Sequence, residues 1–350
     1  MLSFLLTACD TRGQMLRTAA RVKAEMEPYF DHAQYAPATI HAAIVSEADF
    51  LAAPRDLEVI GNYLVVSDMY SQEAIHVFDG SSREYLGSFG RHGQGPGEFV
   101  AAPVLSAMPG ADSVVVALDP SFRRVTRFHL PGGEVAPIDA RDVVQIPTLF
   151  VYALEMVDER RAIGLGFFEE GRLGIFDLAA GTVSFAGAVP GNEADESFVR
   201  RQQAYQAYLA VNPARTRAVT ATRLSTGVEI YDVSGELLAH AQTPYDFPVD
   251  YMVDQGGEFM PGWHNRFGYQ SVTATDNLIY ALFSGKAEAH FRGMSGAHAA
   301  FVHVFNWDGG LERVLRLDRE VLDLAVDQAG ATLYAITEKP QPAVLAFSLK

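Results

Sequence analysis

Residues 87–99 read GSFGRHGQGPGEF, and five of those thirteen residues are glycine. A run this dense has two readings. Its backbone amides cradle a phosphate, or its glycines supply the positive φ of a tight connection. A P-loop requires Gly-Lys-Ser/Thr at its end, with the lysine on the phosphates and the hydroxyl on magnesium. No lysine lies between Lys23 and Lys286. The dinucleotide fingerprint requires glycines at its first, third and sixth positions, between a strand and a helix. Counted from Gly93, the third position is Gly95 but the sixth is Glu98, and Pro103 follows where a helix would begin. Both phosphate readings fail on residue type, so the stretch is a surface connection between elements.

What it connects follows from a repeat. A short pattern of aliphatic residues, an aromatic and a polar turn residue recurs as IHVFD, VTRFH, LGIFD, VEIYD, VHVFN and VLAFS. Its aromatics are Phe78, Phe128, Phe176, Tyr231, Phe305 and Phe347, at intervals of 50, 48, 55, 74 and 42 residues. A second apolar run precedes each copy, at 63–68, 113–119, 161–167, 217–223, 278–284 and 332–337, and before each of these lies a third run ending in a turn. A fourth often follows, as in EYLGSF or RVLRLD. The runs are short, rich in Val, Ile, Phe and Tyr, and bounded by Gly, Asn, Asp and Pro, which is strand patterning. Six units of about four strands predict an all-β fold, a six-bladed β-propeller with four-stranded antiparallel blades. A lone blade has two apolar faces, and packing around an axis buries them. The last unit ends after its third strand, so ATIHAAIV (38–45) is expected to close the ring as the missing strand. Closure hides two otherwise open sheet edges.

Within this frame the opening stretch joins the first unit to the second. There Phe89-Gly90, Gly93, Gly95, Gly97, Phe99 and Pro103 resemble the blade-joining loop of NHL-type propeller repeats. GQGPGE, with VFNWDGG and DLAVDQAGATLYA in the late units, is similar to the bacterial TolB-like six-bladed propeller lipoproteins, over roughly residues 38–350. The resemblance implies the fold and a place in the cell envelope. It implies no reaction.

The chain has 350 residues and is 49% hydrophobic, enough for a large core. With 43 acidic and 27 basic residues its formal charge is −16, which argues against nucleic acid as a partner. Its one cysteine, Cys9, follows Leu6-Thr7-Ala8, which looks like a lipobox, where a peptidase cuts before the cysteine and its thiol carries a diacylglycerol. Residues 1–9 are therefore read as a signal remnant, 10–37 as a tether and 38–350 as the propeller, anchored to a bacterial membrane only through lipid.

Function in such rings concentrates in insertions between strands. The longest interval carries two, 252–269 and 285–300, and residues 191–208 form a third with room for a short helix. Trp263, His264, Asn265 and Arg266 set an indole, an imidazole, an amide and a guanidinium side by side, groups that binding sites use. Arg91 and His92 are further candidates on the first blade-joining loop. GMSGA (293–297) misses the nucleophile-elbow pattern, and His290, His298 and His303 lack zinc-ligand spacing. The sequence thus predicts a monomeric binding propeller for a small molecule, glycan or protein, with no catalytic residue and no cofactor. The alternative is a calcium-dependent hydrolase resembling lactonases, with Asp68, Asp119 and Asp254 as candidate ligands.

Overall fold

The computed structural model describes residues 31–47, 50–95, 97–131, 133–135, 144–145, 150–191, 198–253, 259–262, 265–287 and 297–350. The chain divides into two units, residues 1–37 and 38–350. The described part of the first is one 3-10 turn, His32–Tyr35, N-capped by Asp31, whose Oδ1 accepts from the Ala33 amide at 2.9 Å.

The second unit is a six-bladed propeller. From the axis outwards, the first blade is built from Pro54–Ile60, Tyr63–Asp68, Glu73–Asp79 and Tyr85–Arg91. The inner strands of the other five are Val104–Ala107, Val151–Met156, Ala207–Val211, Tyr269–Ala274 and Asp323–Val326. Each inner strand contacts the inner strands on both sides, so the six form a closed ring around an axial channel.

The recurring aromatics occupy one structural position. Phe78, Phe128, Phe176, Tyr231, Phe305 and Phe347 pair across their blades with Leu64, Val115, Ala162, Ala218, Ile279 and Leu333, each the second residue of its own strand. All six are buried. The polar residue after the aromatic starts the turn into the outer strand: Asp79 Oδ1 accepts from the Ser81 and Ser82 amides, and Asp232 and Asn306 repeat the arrangement. This is the local side-chain bond for which Asp and Asn are favoured in turns. The apolar clusters lie between blades, one joining the first and second, another the sixth and first.

Ring closure differs in detail from the expectation of one strand over 38–45. Ala42–Ser46 is the outer strand of the sixth blade, antiparallel to Ala343–Ser348. Ala38–Ile40 instead runs parallel to the long outer strand of the fifth blade, Leu311–Val321, as a fifth strand there. The break falls at His41, where the Asp318 carboxylate accepts from the Ala42 amide at 3.0 Å and meets the His41 ring at 3.1 Å. One segment therefore ties the fifth blade to the sixth.

The glycine-rich loop is a connection, as its residue types require. Gly90 and Gly97 have φ of 83° and 73°, which only glycine adopts freely. Its amides are satisfied within the loop: Gly93 N donates to Phe99 O, Phe99 N to Arg91 O, and Gly95 N to the Glu98 carboxylate at 2.8 Å. Glu98 thus takes a place that a phosphate oxygen would need. Phe99 is fully buried against Phe128 of the next blade.

Two stability outcomes follow. Phe78→Ala should cost roughly 3–5 kcal/mol in chemical denaturation, the usual range for a fully packed Phe. A chain beginning at Glu47 should melt well below one beginning at Ala38, since it leaves Ala343–Ser348 as an open edge. Equal melting temperatures would refute the closing role of 38–46.

Candidate functional site

The inner strands begin at one face of the ring and end at the other. Ser271 Oγ accepts from the Leu324 amide, and Thr273 Oγ1 accepts from the Val326 amide, two residues further along both strands. Neighbouring inner strands therefore run the same way. In a four-stranded meander, every blade-joining connection and every turn from second to third strand then lies at the face where inner strands begin. The glycine loop, the helix Phe198–Ala204 and the described parts of the connection before Tyr269 and of the turn between Leu278–Phe283 and Ala299–Asn306 lie on this face. The expected helix within 191–208 is present there.

Behind this entrance lies a cavity of about 590 Å³ along the axis. Its polar lining includes Arg55, Asp56, Glu58, Glu155, Tyr152, Tyr208, Arg215, Arg223, Gln270 and Asp323. Several of these hold the ring together. Asp56 Oδ2 accepts from Leu105 N of the second blade at 2.6 Å, and Asp323 Oδ2 accepts from Leu57 N of the first at 2.8 Å. Ser106 Oγ accepts from Met156 N, and Tyr152 Oη accepts from Ala207 N. Between the fourth and fifth blades the bond is main-chain, from Gly268 N to Arg223 O at 2.7 Å. A Cβ at Gly268 would lie 1.7 Å from Ser225 O, so only glycine allows that approach.

Four carboxyls share this channel. Burial pushes Asp56 and Glu58 well above the ordinary carboxylate range, with Asp323 adding to the effect on Asp56 and Glu155 adding to that on Glu58. Burial also raises Glu155, against the lowering effect of Arg215, and raises Asp323, against bonds from Ser271 and from the Leu324 and Leu57 amides. Asp56 and Asp323 interact directly, so the two titrate as a pair, both above the ordinary carboxylate range. Arg215 Nη1 spans from the fourth blade to Glu155 Oε2 at 3.2 Å and to Met156 O at 3.0 Å.

Trp263 and His264 lie outside the described residues. Asn265 is buried, and its Oδ1 accepts from the Asp250 amide at 2.9 Å, so it organises the connection. Arg266 Nη1 donates to Gly285 O at 2.9 Å, joining the connection 241–268 to the turn 284–298. Arg91 and His92 are exposed at the entrance face, and His92 Nε2 meets Ser71 O at 2.9 Å. The candidate calcium ligands Asp68 and Asp119 serve instead as backbone caps. Asp68 accepts from the Ala52, Ala53, Tyr70 and Ser71 amides, and Asp119 from those of Val100, Ser121 and Phe122. Asp254 lies outside the described residues. Among the described residues no three His, Cys, Asp or Glu side chains are placed to hold a metal ion.

A family model described as TolB-like 6-blade propeller-like matches residues 34–329. No curated protein matches the chain. Among solved structures, the β-propeller domain of Cps50 (Swd1) from Myceliophteria thermophila aligns with a TM-score of 0.45 at 11% identity, covering 89% of this chain and 100% of that one. The RRP9 WD40 repeats align with a TM-score of 0.45 at 13% identity, over 84% of this chain and 79% of theirs. For U3-55K the TM-score is 0.45 at 13% identity, over 84% and 80%.

The raised carboxyls fix a sign for the pH dependence. An acid whose folded pKa is raised stabilises the fold fully below its unfolded value, about 4, and loses that contribution as pH climbs through the folded value. The melting temperature should therefore decline from mildly acidic towards alkaline pH. Glu58→Gln gives up no hydrogen bond and removes a buried charge. It should melt higher than wild type at pH 8, with the gap closing near pH 4. A variant less stable at pH 8 than at pH 4, relative to wild type, would overturn this.

Proposed function

The chain belongs to the TolB-like six-blade propeller family, and on that premise we propose that it is a lipid-anchored envelope protein whose propeller captures a ligand at the entrance of its channel without converting it. The observation that carries this reading is the axial cavity of about 590 Å³ with its polar lining, on whose entrance face the blade-joining connections begin and end. Ligand sites are concave, with a few polar groups placed to orient what enters. The insertions lie where they can select a partner, and the rigid inner strands supply the floor.

The anchor rests on Cys9 within Leu6-Thr7-Ala8-Cys9, and it puts the propeller on the outer side of a bacterial membrane. Recognition is assigned to Trp263 and His264 by their residue types, an indole and an imidazole beside Asn265 and Arg266 in the sequence. Arg266 fixes the connection before Tyr269 to the neighbouring turn through Gly285 O. The absence of turnover rests on the chemistry of the lining. Among the described lining residues Asp56 and Asp323 accept from inter-blade amides, Glu155 pairs with Arg215, and the Ser271 hydroxyl that meets Asp323 is itself a latch, accepting from the Leu324 amide.

Two measurements test the reading. Expressed with a complete signal, wild type should partition into detergent and Cys9→Ser should remain in the aqueous phase. In a Trp307→Phe background, which leaves Trp263 as the lone tryptophan, a small molecule or glycan that raises the melting temperature should also change Trp263 emission. Hits that leave the emission unchanged would remove that connection from the site. Reproducible ester or lactone turnover that requires calcium would replace binding by the hydrolase reading.

A further inference from the structure

We propose that the fourth blade carries, at the channel entrance, a site for a small monocarboxylate, received by the Arg223 guanidinium with the Tyr208 hydroxyl and the Gln206 amide. The inference rests on the binding reading above and names the chemical class of its ligand.

The placement follows from the strands. Ala207–Val211 begins at the entrance face, and its antiparallel partner Arg217–Thr222 ends there. The pairing continues one residue past both strands, because the Arg223 amide donates to Gln206 O at 2.8 Å. Gln206 and Arg223 therefore stand opposite each other, and opposite residues of an antiparallel pair share a face. Tyr208 follows Gln206 at the period of a strand and shares that face too. It is the face turned away from the third blade, since the alternate residues Ala207, Leu209 and Val211 pack in the cluster with that blade. Gln206, Tyr208 and Arg223 are each half-buried, and all three border the cavity.

Arg223 is held there without being neutralised. Its guanidinium lies over the buried Phe267 ring, 5.7 Å from the centroid, a contact that uses none of its N–H donors. Among the described residues it makes no side-chain hydrogen bond and no ion pair, and none of its nitrogens is sealed from solvent. The other two arginines of the lining are committed, Arg55 Nη1 to Glu338 at 2.7 Å and Arg215 Nη1 to Glu155 at 3.2 Å. The side chains of Tyr208 and Gln206 make no hydrogen bond either. Burial raises the Tyr208 pKa, against the charge of Arg223, so the hydroxyl remains a donor within the field of the guanidinium.

A carboxylate matches this set. A guanidinium offers it paired, planar N–H donors, the tyrosine adds an O–H, and the glutamine amide can meet a hydroxyl or carbonyl on the ligand body. One uncompensated cation balances one negative charge, which favours a monocarboxylate over a phosphate. The channel acids do not oppose such a ligand as four full charges. Arg215 offsets Glu155 and acts on Glu58, and burial holds Asp56 and Asp323 above the ordinary carboxylate range. A cationic ligand would instead meet Arg223 as a like charge at the entrance.

Isothermal titration of the full-length protein with matched probes tests this. D-glucuronate and D-gluconate are the monocarboxylates, D-glucuronamide the neutral match, D-glucosamine the cation and D-glucose 6-phosphate the phosphate. The monocarboxylates should bind saturably, and the other three at least about tenfold more weakly. Arg223→Gln should weaken glucuronate binding at least about tenfold and Tyr208→Phe about threefold. Neither change removes a hydrogen bond from the fold, and melting curves check that both variants are folded. Arg316→Gln makes the same charge change on the exposed outer strand of the fifth blade and should leave binding unchanged. Failure of both monocarboxylates to bind would overturn the proposal. So would binding that Arg223→Gln leaves intact, or that Arg316→Gln weakens equally, by placing the ligand elsewhere. If glucuronamide, glucosamine or the phosphate binds as tightly as glucuronate, the channel still functions as a binding site and only the carboxylate assignment falls.

Discussion

An inner-strand amide that faces the axis has no strand to pair with, and the whole ring depends on finding it an acceptor. Each blade is an open sheet whose first strand is an edge, and unsatisfied edge amides are expensive when buried. The chain answers with side chains from the preceding blade: Asp56 for Leu105, Ser106 for Met156, Tyr152 for Ala207, Ser271 for Leu324 and Asp323 for Leu57. These bonds fix the angle between neighbouring blades, and the apolar clusters between blades then fill the space so defined. Hydrophobic burial supplies most of the stability, because it scales with area. The latches supply register, which apolar contact alone does not specify.

This requirement makes the channel polar before any ligand is considered, so polarity alone is no sign of function. The choice of latch is more informative. Serine and tyrosine satisfy an amide at the second, third and fifth blades without charge. Aspartate does so at two consecutive junctions, sixth to first and first to second, which brings two carboxyls together at the cost of raising both pKa values. Glu58 adds a third, half-buried acid with no latched amide. A purely structural ring would do better with neutral residues at all three positions. Stability given up at a cleft in this manner is the usual mark of a site whose chemistry matters.

The architecture was legible in the sequence because it is local and repeated. The aromatic of each third strand meets the second residue of the strand beside it, and that register recurs in all six blades despite uneven spacing. The glycine loop was legible from residue types, since neither a lysine nor a sixth-position glycine was present to serve a phosphate. The closing segment was legible in position but not in its division at His41, which depends on Asp318 more than 270 residues away. The acids of the channel were missed for the same reason. Asp56 in RDLEVI and Asp323 in DLAV look like ordinary alternation, and only ring closure brings them together. Asp68 and Asp119 drew attention because each ends a strand, but that position is where a carboxylate caps the amides of an entering loop. A polar residue near the start of an otherwise apolar first strand, seen at Asp56, Ser106, Ser271 and Asp323, was the available signal.

The two ends of the channel are unlike, and this asymmetry follows from chain direction. The turn from first to second strand always lies at the far mouth, and in the fourth blade that turn carries Arg215. Its guanidinium crosses to the third blade, neutralises Glu155 and occupies the Met156 carbonyl. The charge of Glu155 is therefore offset by the protein's own cation, which also lowers the Glu58 pKa. The entrance half receives no such residue: Arg55 is drawn outward to Glu338 in the turn of the sixth blade, and Arg223 is drawn onto Phe267. Asp56 and Asp323 accept from backbone amides on the side where the blade-joining connections lie, while Arg215 acts on Glu155 and on Glu58. A ligand entering from that side meets the coupled pair Asp56 and Asp323 before the Arg215–Glu155 pair beyond them. The direction of the inner strands thus determines at which mouth the blade-joining connections lie and at which the short turns lie, and the cavity is lined by residues of both, Arg223 at one and Gly110 and Pro213 at the other.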